Sequence, residues 1–360
     1  MASDSGPTLR QWLASEGGAV PFRRFMEAAL YDPEFGYYTR QIRSIGPRGD
    51  FSTSATLSGR LARAIGAWVA DTAKSEGGGF RHLIEIGPGS GVLHRALRLA
   101  LGWRGRWHWH SHLVERSPEL RAEQRRTLGR MGRGVTWHTD PAEALAEAGG
   151  RALIFSNELV DAFPVTLFQS EAGSWQEVWL ELLPEGRLVE TLRPTEQSCT
   201  SLQAADFQEG QRVEVHHSYE DWLSAWRPHW KAGVMLTIDY GDAAAALYHR
   251  RPHGTLRGYH QHQRLEGLSL YRQPGECDLT ADVNFTDLMQ RGEALGLSTV
   301  CWETQAEFLT RYSKASSPED LRLADPDDAG GAFRCLQQRP WEPWAAQGST
   351  GHRPVSFPRP

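Results

Sequence analysis

Cysteine is scarce. Cys199, Cys277, Cys301 and Cys335 are the only four in 360 residues, and no two form a C-x-x-C pair. That excludes a zinc ribbon or a disulfide-built scaffold and fits a reducing compartment. Long apolar runs are missing as well, since none approaches the ~20 residues a membrane span needs. Neither sign of charge dominates. The 39 Lys and Arg against 44 Asp and Glu leave a formal net charge of −5, too mild for a chain built to bind nucleic acid or a membrane surface. The first residues, MASDSGPTLRQWL, show neither the basic-then-apolar layout of a secretory signal nor the Arg-rich, acid-poor character of a transit peptide. A cytoplasmic location is therefore expected.

The balance of 40% hydrophobic and 23% charged residues is that of a globular protein. The 14 Trp are more than usual. Residues 8–30 read as two short helices, the second with Phe22, Phe25, Met26 and Leu30 on one face. Tyr31–Arg40 reads as a turn punctuated by Asp32-Pro33 and Gly36. Leu57, Leu61, Ile65 and Trp68 predict an amphipathic helix that ends before Gly77. From residue 80 the pattern alternates: HLIEI, SHLVE, VTWH, ALIFS and VMLTIDYG read as strands with helices between the first three. Such alternation predicts an α/β fold with a parallel sheet covered on both faces. Between the fourth and fifth strands, VTLFQS, WQEVWLELL and RLVETLRP predict an antiparallel meander. LSTVCWE and AFRCLQQ predict two more strands. The expected organisation is an N-terminal region (1–79), a nucleotide-binding core (80–170), a Trp-rich insert (171–230), a completion of the core (231–340) and an irregular tail (341–360).

The strongest local signal is Glu85-Ile86-Gly87-Pro88-Gly89-Ser90-Gly91 between a strand and a helix. Glycines there let the backbone approach a ligand, and the helix start offers free N–H groups. A dinucleotide fingerprint would need glycine at position 92, which is Val92. A donor with an ammonium and a sulfonium suits the acid Glu85 better than a pyrophosphate does, so S-adenosylmethionine is favoured over NAD. Glu115, closing the second strand, is placed to take ribose hydroxyls, and Asp140, after the third, to reach the adenine. After the fourth strand come Asn157, Glu158 and Asp161. In a parallel sheet the carboxyl ends of the strands carry the site. Glu158 and Asp161, three apart, would share a face on a helical turn. They could fork onto a guanidinium, or equally be a surface ion pair and a helix cap.

With these residues in hand, the chain resembles the MidA family of S-adenosylmethionine-dependent methyltransferases, bacterial and mitochondrial. The resemblance rests on collinear motifs: Phe25-Met26 through Tyr38, Gly49-Asp50-Phe51-x-Thr53-Ser54, the glycine loop, Asn157-Glu158-x-x-Asp161-Ala162-x-Pro164, Asp239-Tyr240-Gly241, Gly254–Arg257 and Asp278–Phe285. It implies a class I methyltransferase fold, Rossmann-like, with a mostly parallel seven-stranded sheet, an N-terminal helical region and a β-rich insert. It implies S-adenosyl-L-methionine as cofactor and a protein arginine as substrate. It makes Asp50, Phe51, Thr53 and Ser54 a loop closing on the cofactor, and places Gly254–Arg257 and Asp278–Phe285 near the substrate groove. Ala55-Thr56 stand where the family usually has Pro-Glu. Three readings follow: an enzyme acting on a protein side chain, most simply arginine; a cofactor-binding assembly factor without turnover; or a methyltransferase for a different nucleophile, on a small molecule or another protein. Homodimerisation is left open.

His108, His110 and His112 alternate, so a strand would align all three. With no carboxylate or cysteine close by in sequence, no metal site is expected there. Trp222, Trp226 and Trp230, four apart, read as a helix packing stripe.

Overall fold

The structure is a computed structural model that describes residues 8–40, 59–197, 199–203, 207–260, 263–271 and 276–341. Asp50, Phe51, Thr53 and Ser54, and most of the tail, lie outside the described residues. The described chain opens with the helix Leu9–Ser15, strand β1 (Ala19–Pro21) and the helix Phe22–Tyr31. Strands β2 (His82–Ile86), β3 (His110–Val114), β4 (Val135–His138) and β5 (Leu153–Asn157) follow. Then come β6 (Thr166–Glu171), β7 (Ser174–Leu182), β8 (Leu188–Pro194), β9 (Arg212–Val215) and β10 (Met235–Asp242). The last are β11 (Arg257–His260), β12 (Gln263–Leu265), β13 (Asp278–Thr280), β14 (Val283–Asn284), β15 (Leu297–Thr304) and β16 (Phe333–Pro340).

The central sheet runs β15-β16-β10-β5-β2-β3-β4, with β14 added alongside the end of β10. Six of the seven path strands run in one direction; β16 alone is reversed, pairing antiparallel with both β10 and β15. Alternate residues fill its two faces. Leu83, Leu153, Phe155, Leu236 and Ile238 pack against Leu61, Ile65 and Trp68 of the helix Arg60–Ser75. Ile84, Ile86, Ile154 and Met235 pack against Trp226, Trp230 and Phe285 on the other side. A strand buried on both faces must be apolar at nearly every position, which is why HLIEI and ALIFS show no alternation. The expected Trp stripe is only partly helical: Trp222 and Trp226 stand on the helix His217–Trp226, whereas Trp230 follows a 3₁₀ turn beyond its end, and Trp226 and Trp230 are both fully buried.

A second sheet, β1-β7-β6-β9 with β8 against β7, forms the meander. Its core includes Leu167, Val178 and Leu180 and also Leu9, Leu13, Phe25 and Met26 from the two N-terminal helices. The region expected as residues 1–79 thus divides: its first helices pack on the insert, while Arg60–Ser75 packs on the central sheet. Within the segment expected to be a turn, Tyr37–Arg40 is a short helix. His108 ends the helix Gly102–His108, so the three alternating histidines do not form one strand row. Among the described residues no helix is long and apolar enough to cross a membrane.

Candidate active site

The carboxyl ends of β2, β3, β4, β5 and β10 open onto one large cavity, walled opposite by Tyr31, Tyr38, Leu167 and Arg212. This is the position the parallel topology dictates.

At the end of β2, Gly87, Gly89 and Gly91 all adopt positive φ, at +67°, +52° and +81°. Gly87 has a second reason to be glycine: a Cβ there would lie 2.7 Å from Leu159 Cδ1. The glycine loop and the loop after β5 are therefore in contact. Glu85 and His94 are buried together, and His94 Nδ1–H donates to Glu85 Oε2 at 2.7 Å. Sequence reasoning found Glu85 and missed His94, nine residues away, because only the strand–turn–helix geometry brings them together.

Glu115, at the end of β3, accepts the Ser117 N–H at 2.9 Å. Burial raises its carboxyl above the usual range, although hydrogen bonds from Ser117 and Gln124 oppose that. Gln124, also missed, is fully buried and donates to the Gly89 carbonyl at 2.8 Å, with its own oxygen held by Trp137. It fixes the glycine loop to the helix Pro118–Leu128. Asp140 lines the cavity after β4. One of its oxygens caps the helix Pro141–Glu147 by accepting the Ala142 N–H at 2.7 Å.

The loop after β5 corrects the helical-turn expectation. Glu158 sits at φ +52°, in the left-handed region, and only Val160–Ala162 form a single 3₁₀ turn. Glu158 and Asp161 nevertheless line the same cavity. Asn157 Nδ2 donates to Glu158 Oε1 at 3.0 Å. Asp161 accepts from the hydroxyls of Tyr240 and Thr280, and burial raises its carboxyl despite both. Beneath the loop, Asp239 is fully buried and takes backbone N–H groups of Leu159, Val160 and Asp161. Gly241 follows on β10 at φ +151°, where a Cβ would strike the Val283 carbonyl at 2.0 Å; glycine there lets β14 pair alongside.

Residues 254–257 and 278–285 contribute the far wall. Arg257 lies over the Tyr240 ring at 4.8 Å and, with Arg251, is held by Asp282. Asp278 accepts the Tyr38 hydroxyl at 3.0 Å. Tyr38 and Tyr31 are stacked with centroids 5.4 Å apart, and the Tyr31 hydroxyl donates to the Ala162 carbonyl at 2.8 Å.

Residues 64–302 match the family described as "Putative S-adenosyl-L-methionine-dependent methyltransferase". The chain belongs to that family. It is the MidA type, as its relatives indicate. The methyltransferase is similar to the protein arginine methyltransferase NDUFAF7 of Danio rerio, with 28% identity over 81% of this chain and 72% of that protein. It is similar to the Drosophila melanogaster homologue at 26% identity, over 90% of this chain and 82% of that one. Among solved structures, a COG1565 superfamily member and likely methyl transferase from Burkholderia thailandensis, bound to S-adenosyl-homocysteine, superposes with TM-score 0.81 at 28% identity, covering 92% of this chain and 90% of that one. A native structure of a COG1565 protein from the same organism gives 0.78 at 27% identity over the same shares.

The cofactor is S-adenosyl-L-methionine. The residues present fit it. The glycine-rich loop at a helix start would hold the ammonium and sulfonium half beside Glu85, and Glu115 closes β3 where a ribose diol would be taken.

Proposed function

We propose that this methyltransferase acts on a protein arginine side chain. The observation that carries the reading is the set of acids and stacked phenols at the strand ends: Glu158, Asp161 and Asp278 with Tyr31, Tyr38 and Tyr240. A guanidinium is planar, charged and a poor nucleophile because it keeps its proton. Carboxylates bind it through forked hydrogen bonds, and aromatic faces favour a flat cation. The cofactor supplies an electrophilic methyl group. Glu158 and Asp161 hold the guanidinium in line with it and draw positive charge away from the attacking nitrogen, where alignment alone is worth several orders of magnitude. One guanidinium N–H proton is lost as the N–C bond forms, and a carboxylate raised by burial, as Asp161 is, is suited to receive it. The names of the two metazoan relatives support the same substrate class.

The test is methyl transfer from labelled S-adenosylmethionine into a host lysate, followed by acid hydrolysis. Label in methylarginine supports the reading. Label in another residue or in small molecules overturns it. Cofactor binding with no released S-adenosylhomocysteine would favour an assembly factor without turnover.

A further inference from the structure

Three neighbouring strands carry a row of imidazoles away from the methyl-transfer site. His82 on β2, His112 on β3 and His138 on β4 point to the face covered by the helix Pro141–Glu147. His82 Nδ1 lies 2.9 Å from His112 Nε2, and His112 Nδ1 lies 3.0 Å from His138 Nε2. Glu147, the last residue of that helix, brings Oε2 to 3.7 Å from His138 Nε2 and 4.0 Å from His112 Nδ1. Among the described residues no other three groups of this kind come so close.

We propose that His112, His138 and Glu147 form a binding site for a divalent transition-metal cation of the zinc type. A point equidistant from three atoms separated by 3.0, 3.7 and 4.0 Å sits about 2.1 Å from each, the bond length of zinc to imidazole nitrogen and carboxylate oxygen. Hydrogen bonding explains the two imidazole pairs but not the carboxylate. Its oxygen lies beyond hydrogen-bond range of both rings, yet faces the pair of nitrogens. The ligand chemistry, two nitrogens and one oxygen, suits zinc and its neighbours rather than magnesium or calcium.

The surroundings meet the other requirements of such a site. Burial lowers all three histidines, His112 to about 3, so near neutrality the rings are uncharged. Binding then needs only the tautomer with lone pairs on His112 Nδ1 and His138 Nε2. His112 keeps its proton on Nε2 and donates it to His82 Nδ1, the outer hydrogen bond that ligating imidazoles usually make. His112 is fully buried and Glu147 is 50% exposed, so an ion enters from the Glu147 side and a water completes its shell. Occupancy would tie β3, β4 and the end of the helix that Asp140 caps at the cavity rim.

Chelator-treated full-length protein is titrated with cobalt(II), read by its visible absorption, and then with zinc(II) in competition and by thermal melting. The expected result is one cobalt per chain with a tetrahedral spectrum, displaced by zinc, and a higher melting temperature with zinc. Glu147→Gln, at a half-exposed position that should not disturb folding, weakens binding ~10-fold or more, and His138→Gln does the same. Absence of stoichiometric binding, or binding left unchanged by both substitutions, overturns the site. Circular dichroism of each variant separates lost ligation from lost fold.

Discussion

The Asp239 carboxylate lies under the loop after β5 and accepts the Val160 N–H at 2.9 Å. Its Oδ2 also takes the N–H groups of Leu159 and Asp161, at 3.1 and 3.3 Å, while Oδ1 takes the Tyr240 N–H at 3.0 Å. Burial, with the charges of Asp161 and Glu158, pushes this carboxyl well up, and the backbone donors oppose that shift. All four backbone groups that reach the carboxylate are N–H donors, so both oxygens are needed as acceptors. Asp239→Asn turns one of them into an amide that faces an N–H. An unmatched buried donor costs about 1–3 kcal/mol. Urea unfolding should show a loss of that size. Turnover should fall ~10-fold with a smaller change in the dissociation constant for S-adenosylhomocysteine, because Asp239 holds the backbone of the loop that carries Glu158 and Asp161. Unchanged turnover would remove it from the catalytic apparatus.

Glu158 holds a left-handed backbone that a β-carbon disfavours by about 1–2 kcal/mol. Such strain persists where a side chain must be aimed, and here Asn157 steadies its oxygen. Glu158→Gln preserves shape and removes the charge that would draw on a guanidinium. The expected outcome is a turnover lower by ~10²-fold with cofactor affinity within about twofold. Kinetics paired with calorimetry checks it. Equal loss of cofactor binding would place Glu158 on the cofactor instead.

Glu115 tests the other half of the cavity. If its carboxylate takes ribose hydroxyls, Glu115→Gln gives up charge-assisted hydrogen bonds worth about 1.5–3 kcal/mol. Affinity for S-adenosylhomocysteine should fall ~10-fold or more, while turnover at saturating cofactor stays near that of the parent. Calorimetry showing equal affinity would reassign Glu115 to holding Ser117 and Gln124.

What the sequence made legible follows the range of each interaction. The glycine loop and the buried strands are local patterns, and each stands where expected. The mostly parallel seven-stranded core came from the resemblance, while the place of its antiparallel strand β16 near one edge did not. Partnerships across long stretches of chain were not readable. His94 on Glu85, Gln124 on Gly89 and Asp239 under Val160 depend on how strands and loops are laid side by side. The histidine row shows the limit most plainly. Alternation in one strand suggested His108, His110 and His112, whereas the fold aligns His82, His112 and His138 from three strands, with their carboxylate on a helix.

The histidines also set how stability responds to acid. His216 is fully buried, and neither ring nitrogen has a hydrogen-bond partner among the described residues. Burial, with the neighbouring charges of Arg291 and His217, lowers it to about 3. His217 is lowered to about 4 by burial, Arg291 and Arg23, with Asp221 opposing. An unfolded histidine titrates near 6.5. Between these values the unfolded chain binds a proton that the folded chain refuses, so stability is whole above about pH 6.5 and is lost as pH falls toward 3. The slope per histidine is about 1.4 kcal/mol per pH unit. Buried carboxylates such as Asp287, raised by burial, have the opposite sign: their folded form keeps a proton the unfolded form has released, so they cost stability as pH rises. The total curve mixes both, and a single variant separates them. His216→Phe fills the same space with a ring that cannot be protonated. Urea unfolding at pH 4.5 and 5.5 should show a slope shallower than the parent's by about one proton, with little change at pH 7.5. An unaltered slope would mean that His216 is charged inside the folded protein.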